Sequence, residues 1–225
     1  MNNTDAEASK KAAGEKAVSY VRNGMILGLG TGSTVRYFIE KLAAQIKEQG
    51  MDITAVPTSV ASEKLAGSLG IKLSSVNEHP KMDLDVDGAD EVDPKFNLIK
   101  GGGGAHTREK IIASASKEFI VIVDRSKMVS RLGNFPVPVE VLPFSEKYVW
   151  GKIVAMGGLP RRRAGFVTDS DNIILDCRFN IIDPEKLETD LKCIPGVVED
   201  GVFAKRRPEK VIVADGNNVK ILERV

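Results

Sequence analysis

Cysteine is scarce in this sequence: only Cys177 and Cys193 occur, with fifteen residues between them. That is neither a disulfide framework nor the paired spacing of a metal knuckle, so two reduced, partly buried thiols are expected. An excess of either charge is missing too, since 32 Lys and Arg stand against 31 Asp and Glu, a formal net charge of +1. A chain that depended on phosphate-backbone contacts would carry a larger basic surplus, which argues against nucleic acid as a partner. No stretch approaches the roughly 18 apolar residues of a membrane-spanning helix. Residues 1–11 are polar and charged, without the apolar centre of a secretory signal. These absences lead to the expectation of a soluble, cytoplasmic protein with no membrane partner.

What is present is an ordinary globular composition, 42% hydrophobic and 28% charged over 225 residues, enough for one large or two modest domains. The first two-thirds alternate β-branched runs with helical patterns. Helices are predicted over 10–23, 33–49, 59–69 and 108–117. The second has Val35, Phe38, Ile39, Leu42, Ala43 and Ile46 at helical spacing, and Gly24, Gly50 and Gly70 act as stops. Strands are predicted over 25–29, 53–57, 82–87 and 119–124. The last of these, FIVIVD, is apolar almost throughout, as in a strand covered on both faces. Such alternation argues for a parallel sheet covered by helices, whose ligands gather at the carboxyl ends of the strands. Beyond residue 127 the texture changes. Pro136, Pro138 and Pro143 mark a connector, 145–156 reads as a helix, and strands are predicted over 162–168 and 173–179. Asp183 and Pro184 then open a helix to about residue 193. Strands over 210–214 and 219–223 are expected to return to the first part. The expected division is a large domain over 1–130 and 206–225 and a small α+β domain over 131–205.

Three loops carry the chemistry. The first, Gly28-Leu29-Gly30-Thr31-Gly32-Ser33-Thr34, joins a strand to a helix. Its glycines admit an anion, and helix-start amides with the hydroxyls of Thr31, Ser33 and Thr34 suit a phosphate. Ser33 stands where the dinucleotide fingerprint needs glycine, Thr58 and Ser59 stand where its acid would be, and no Gly-Lys-Ser/Thr ending follows. A monophosphate fits better; the alternative is a purely structural turn. The second loop, Asp83 to Asp90, opens like a calcium loop, but its twelfth position is Pro94 rather than glutamate. Asp87 and Asp90 are placed to meet sugar hydroxyls as acid, base or acceptor. Asp83 and Asp85 are assigned to a solvated or salt-bridged strand face. In the third, Lys100 precedes Gly101-Gly102-Gly103-Gly104, and Glu109 falls in the first turn of the next helix. Four successive glycines are costly to order unless a ligand or another backbone comes close, the alternative being a flexible linker.

With these loops the chain resembles ribose-5-phosphate isomerase of type A. The family's runs occur in order: GxGTGST at 28–34, PTS at 57–59, DGADE at 87–91, KGGG at 100–103, REK at 108–110, D-x-S-K at 124–127 and PVEV at 138–141. The resemblance implies an α/β fold, a Rossmann-like parallel sheet with helices on both faces plus a smaller α+β domain, assembled as a homodimer or homotetramer. It implies an aldose-ketose isomerase of the non-oxidative pentose phosphate branch, acting on ribose 5-phosphate and ribulose 5-phosphate without a metal or organic cofactor. By motif, Glu109 is the catalytic base, and Asp87 and Asp90 serve ring opening and the sugar hydroxyls. Lys100 contacts substrate with Gly101, Gly102 and Gly103, as do Gly88, Ala89 and Lys127. Thr31, Gly32, Ser33 and Thr34 complete the substrate site, and Lys10 adds to phosphate binding. His106 departs from the family pattern, which has an apolar residue there; a helix-start or packing role is assigned to it. Arg161-Arg162-Arg163 and Lys205-Arg206-Arg207 are read as solvated or subunit-contact faces. Two rivals stay open: another enzyme on a related scaffold, such as a coenzyme A transferase with glutamate as nucleophile, and a non-catalytic phosphosugar sensor.

Overall fold

The computed structural model describes residues 3–224 and divides the chain into two compact units. The first gathers the chain through Gly88, then Arg108–Lys127, then the chain from Pro208; the second gathers Ala89–Thr107 and Met128–Arg207. In chain order the elements are α1 (Asn3–Ala17), β1 (Ile26–Leu29), α2 (Ser33–Gln49), β2 (Thr54–Pro57), α3 (Val60–Ser68), β3 (Lys72–Leu73), β4 (Met82–Asp87), β5 (Glu91–Val92), β6 (Leu98–Ile99), α4 (His106–Ala115) and β7 (Ser116–Asp124). They continue with β8 (Val137–Val141), α5 (Glu146–Ala155), β9 (Leu159–Arg162), β10 (Ile173–Arg178), α6 (Pro184–Lys192), β11 (Val197–Asp200), β12 (Val202–Phe203), β13 (Lys210–Asp215) and β14 (Asn218–Glu223).

The first unit is a seven-stranded sheet of order β14-β13-β7-β4-β1-β2-β3. Its strands are parallel except β14, which pairs antiparallel at one edge. On one face, α1 and α2 bury Ala13, Ala17, Phe38 and Leu42 against Leu27, Leu29, Val86, Ile120 and Ile122. On the other, Ile112 of α4 packs with Val56 and Met82. Each fully buried Leu, Ile or Phe contributes about 1.5–3 kcal/mol, so the larger α1/α2 layer supplies most of this unit's hydrophobic stabilisation. Helix α2 has the expected span, and Gly50 closes it at φ 64°, donating its N–H to Ile46 O. Helix α1 starts earlier than expected and gives way to a 3-10 turn at Val18–Tyr20. Its polar start is rich in Ala, Glu and Lys, which favour helix without any apolar stripe.

From β1 the chain winds outward to β2 and β3, then crosses back to lay β4 on the other side of β1. The strand order therefore reverses between β1 and β4. In parallel α/β sheets the crevice at the carboxyl ends of such a strand pair is where ligands bind.

The second unit holds an antiparallel sheet of order β11-β8-β10-β9 and a three-stranded sheet of order β12-β6-β5. Val137, Val139, Val141, Ile173, Leu175 and Cys177 form its core with Val149, Ile153 and Leu191. Residues 89–107, expected in the large domain, instead belong here, because β6 pairs with both β5 and β12. The expected proline-rich connector contains β8, an interior strand with all five residues buried. Pro138 is tolerated there because its role in pairing is as an acceptor, from Gly201 N–H at 2.8 Å. The strand expected over 162–168 is replaced by β9, which ends at Arg162. The short β11 and β12 had no periodicity to announce them. Helix α6 starts as expected, with Asp183 accepting Lys186 N–H and Pro184 in the first turn.

Candidate active site

In the first unit, the chain leaving β1 turns at Gly30, whose N–H donates to Val86 O at 3.0 Å. Glycine is required there: a Cβ would fall 2.1 Å from Asp87 Oδ1 and 2.5 Å from Asp87 Cα. The close approach lets the buried Asp87 carboxylate accept the N–H groups of Thr31 at 2.9 Å and Gly88 at 2.7 Å. Thr31 Oγ1 lies 2.8 Å from both Thr58 Oγ1 and Ser59 Oγ, and Ser62 Oγ donates to Gly30 O at 2.5 Å. The hydroxyls of the 57–59 run thus support the glycine loop from below. Gly32 adopts φ 119° and starts α2 without a side-chain cap. The first-turn amides of a helix have no intrahelical acceptor, so here they are the donors a phosphate would meet. Gly32 and Ser33 are exposed and Thr34 half-buried. A cavity of about 490 Å³ opens beside Thr31, Gly32 and Ser33.

Glu109 reaches the same sheet edge by way of α4. Ile112 presses on Gly28, where a Cβ would come 2.5 Å from Ile112 Cγ2 and 2.6 Å from Asp85 Oδ1. Residues three apart share a helix face. Since α4 runs directly into β7, its beginning lies toward the carboxyl ends of the strands. Glu109, one turn before Ile112 on α4, is only 4% exposed. Asp85 corrects the expectation of a solvated face: it is fully buried beside Gly28. Asp83 does fit it, with Lys117 Nζ at 2.7 Å and Ile26 N–H at 3.0 Å.

Lys127 ends a 3-10 turn at the carboxyl end of β7, a turn shaped by Asp124, which accepts the N–H and hydroxyl of Ser126. Lys10 is half-buried on α1 and donates to Glu7 at 2.7 Å. Lys10 and then the Tyr37 hydroxyl hold the Glu7 carboxyl below its ordinary value.

In the second unit, Asp90 donates its N–H to Ile99 O at 2.8 Å and accepts Gly102 N–H at 2.7 Å. The Lys100 amide donates to Gly201 O at 2.9 Å, and a Cβ on Gly201 would sit 2.2 Å from Lys100 O. The Lys100 ammonium, 2% exposed as a residue, stands 5.6 Å from the centre of the Phe203 ring. Gly101 (φ 103°) faces the His106 ring, and Gly104 (φ 79°) faces Phe166, so close that a Cβ would overlap either one. The glycine run is thus a fitted loop, not a linker. His106, wholly buried as the first residue of α4, packs against Gly101 with Nε2 3.4 Å from Glu199 O.

Sequence reasoning missed two residues. Arg163, read as part of a solvated basic run, is half-buried and donates to Gly101 O, Gly102 O and Asp176. Arg161 and Arg162, its neighbours in the same run, are indeed exposed. Glu140, inside the quoted PVEV run, accepts from Thr107, Thr168 and Asn172. The first unit therefore carries Thr31–Thr34, Asp87, Gly88, Glu109 and Lys127, and the second carries Ala89, Asp90, Lys100 and Gly101–Gly103. Among the described residues, no group of three or more His, Cys, Asp or Glu is placed to hold a metal ion, and no helix is long and apolar enough to cross a membrane.

A parallel sheet with an anion-suited loop at its switch point, and buried carboxylates beside that loop, defines an α/β protein of the Rossmann-like class. The sequence profile of ribose 5-phosphate isomerase A (phosphoriboisomerase A) matches residues 54–218, and the chain belongs to that family. It is 49% identical over 220 residues to the ribose-5-phosphate isomerase A of Methanothermobacter thermautotrophicus, covering 95% of this chain and 96% of that one. The solved ribose 5-phosphate isomerase A of Methanocaldococcus jannaschii superimposes with a TM-score of 0.92 at 41% identity, over 95% of this chain and 97% of that one. A D-ribose-5-phosphate isomerase solved in complex with phospho-erythronic acid gives a TM-score of 0.95 at 41% identity, over the whole of both chains.

Proposed function

We infer that this protein is an aldose-ketose isomerase that interconverts D-ribose 5-phosphate and D-ribulose 5-phosphate through an enediolate. The observation that supports the reading is the tie between the buried Asp87 carboxylate and the phosphate-suited loop, with Glu109 buried in the first turn of α4, the helix whose Ile112 packs on Gly28. The reaction transfers the hydrogen on C2 to C1 and a hydroxyl proton from O2 to O1, so nothing is gained or lost. One carboxylate, Glu109, removes the proton from one carbon and returns it to the other. Asp87 and Asp90 handle ring opening and the sugar hydroxyls. Negative charge grows on the oxygens of the enediolate, and Lys100 with those amides of the Gly101–Gly103 loop that Asp90 does not occupy offers preorganised donors for it. The start of α2, from Thr31 to Thr34, holds the phosphate, with Lys127 and Lys10 adding positive charge. That remote binding energy orients the reacting carbons.

The test is Glu109→Gln. It is expected to bind ribose 5-phosphate with little change while kcat falls by about 10³-fold or more; near-normal turnover ends the assignment. Formation of a thioester with an acyl-coenzyme A would favour the transferase alternative. A cytoplasmic homodimer or homotetramer without nucleic acid is the accompanying proposal. Exposed Phe144, Tyr148, Leu159 and Ile182 on the second unit support subunit contacts, and light scattering of the purified protein measures the assembly.

A further inference from the structure

We propose that Arg163 is a positioning residue for the isomerisation, turning the peptide units of the Gly101–Gly103 loop so that their N–H groups face the Asp90 side. The inference rests on the reading above that this loop meets the substrate. In a trans peptide, the carbonyl of one residue and the N–H of the next point in opposite directions. Arg163 Nη1 donates to Gly101 O at 3.1 Å and to Gly102 O at 3.2 Å. The Gly102 N–H, which shares a peptide with the Gly101 carbonyl, must then point away from the guanidinium. It does, donating to Asp90 Oδ2 at 2.7 Å. The Gly103 N–H shares a peptide with the Gly102 carbonyl, so the same rule turns it away from Arg163 as well. Gly102 and Gly103 are exposed.

The guanidinium is itself held from two sides. Its Nε and Nη2 donate to Asp176 at 3.0 and 2.6 Å, with both side chains mostly buried. It also lies 5.3 Å from the centre of the Phe166 ring, the ring that fills the space beside Gly104. The Arg163 backbone N–H is fixed to Ile174 O at 2.9 Å. Glycines otherwise sample many orientations, so an external clamp is what selects one. A charged donor on a carbonyl also polarises that peptide and strengthens its N–H as a donor. Lysine cannot replace this fork, because an ammonium is a point charge without the planar set of donors.

The experiment compares Arg163→Lys, Asp176→Asn and Arg163→Ala with the wild type, by isomerase kinetics and by exchange of the Gly102 amide followed by NMR. Arg163→Lys is expected to lower kcat about 100-fold, the scale of one lost oxyanion donor, with KM changed less than about threefold. Its Gly102 amide should exchange at least about tenfold faster. Asp176→Asn should lose about tenfold in kcat, since the guanidinium keeps its carbonyl contacts. Millimolar guanidinium, but not sodium chloride, should restore part of the kcat lost in Arg163→Ala. A kcat within about twofold of wild type in both Arg163→Lys and Asp176→Asn overturns the proposal, as does a lowered kcat with unchanged Gly102 exchange. If Arg163→Ala does not fold, the other two variants decide. A wild-type protein without isomerase activity would instead sink the functional reading, while the exchange rates would still report whether Arg163 orients the loop.

Discussion

Asp90 accepts the amide hydrogen of Gly102 at 2.7 Å across twelve residues of chain, so one carboxylate closes the glycine loop. Asp90→Asn keeps an oxygen for that amide but gives up the charge. The variant is expected to keep its fold and its affinity for ribose 5-phosphate while kcat falls by about 10²–10³-fold. Steady-state kinetics with calorimetric binding separate the two effects, and an unchanged kcat would remove Asp90 from the chemistry.

Gly30 is the tightest point of the first loop. A methyl group there would meet Asp87 at 2.1 Å, and backbone atoms of Asp87 lie among the contacts. Gly30→Ala should therefore cost about 2 kcal/mol or more in urea unfolding and abolish turnover, because the loop and the carboxylate must part. Wild-type stability in this variant would contradict the close packing of β1 on β4.

Asp83 offers a pH-dependent test of the fold. The Lys117 ammonium, followed by the Ile26 N–H, holds its carboxyl below the ordinary value of 3.8. A carboxyl whose folded pKa is depressed stabilises the fold above its unfolded pKa, and that stabilisation is lost as pH falls through the folded value. Thermal melts of Asp83→Asn should lie below wild type at neutral pH and converge with it as pH falls below 3.8 and through the depressed folded value. A gap of constant size across this range would exclude the ion pair as its source.

The two thiols should differ in reactivity. Burial, with Asp176 adding to it, pushes the Cys177 thiol far up, and its S–H donates to Leu175 O at 3.3 Å; Cys193 is exposed. Since the thiolate is the reactive form, iodoacetamide at mildly alkaline pH should modify Cys193 and spare Cys177 until the protein is unfolded. Mass spectrometry of the labelled peptides reads this directly, and early labelling of Cys177 would mean that the second unit's core is open.

Local signals were legible wherever a single element carried them. The stripe from Val35 to Ile46 and the closing Gly50 define α2, and Asp183 with Pro184 defines the start of α6. Contacts made by distant partners were not. Pro138 suggested a connector because proline lacks a donor, yet β8 is interior, since acceptance from Gly201 is all its proline is asked to provide. Arg163 looked like Arg161 and Arg162 because charge patterning cannot tell where a chain leaves its ladder, and β9 ends one residue before it. Asp85 alternates with Leu84 and Val86 like a surface acid, but α4 covers the face on which it lies.

By itself, the sequence determined the alternation of strands and helices, the two glycine loops, and the ordered set of motifs that carries the family resemblance. These are encoded in periodicity, turn chemistry and residue spacing over a few positions. Only the tertiary structure decided that residues 89–107 fold with the second unit, that Asp87 is tied to the first glycine loop, and that Arg163 grips the other. Each of those rests on a backbone amide or carbonyl paired with a group tens of residues away. Such partners are chosen by the geometry of the folded chain and leave no local trace.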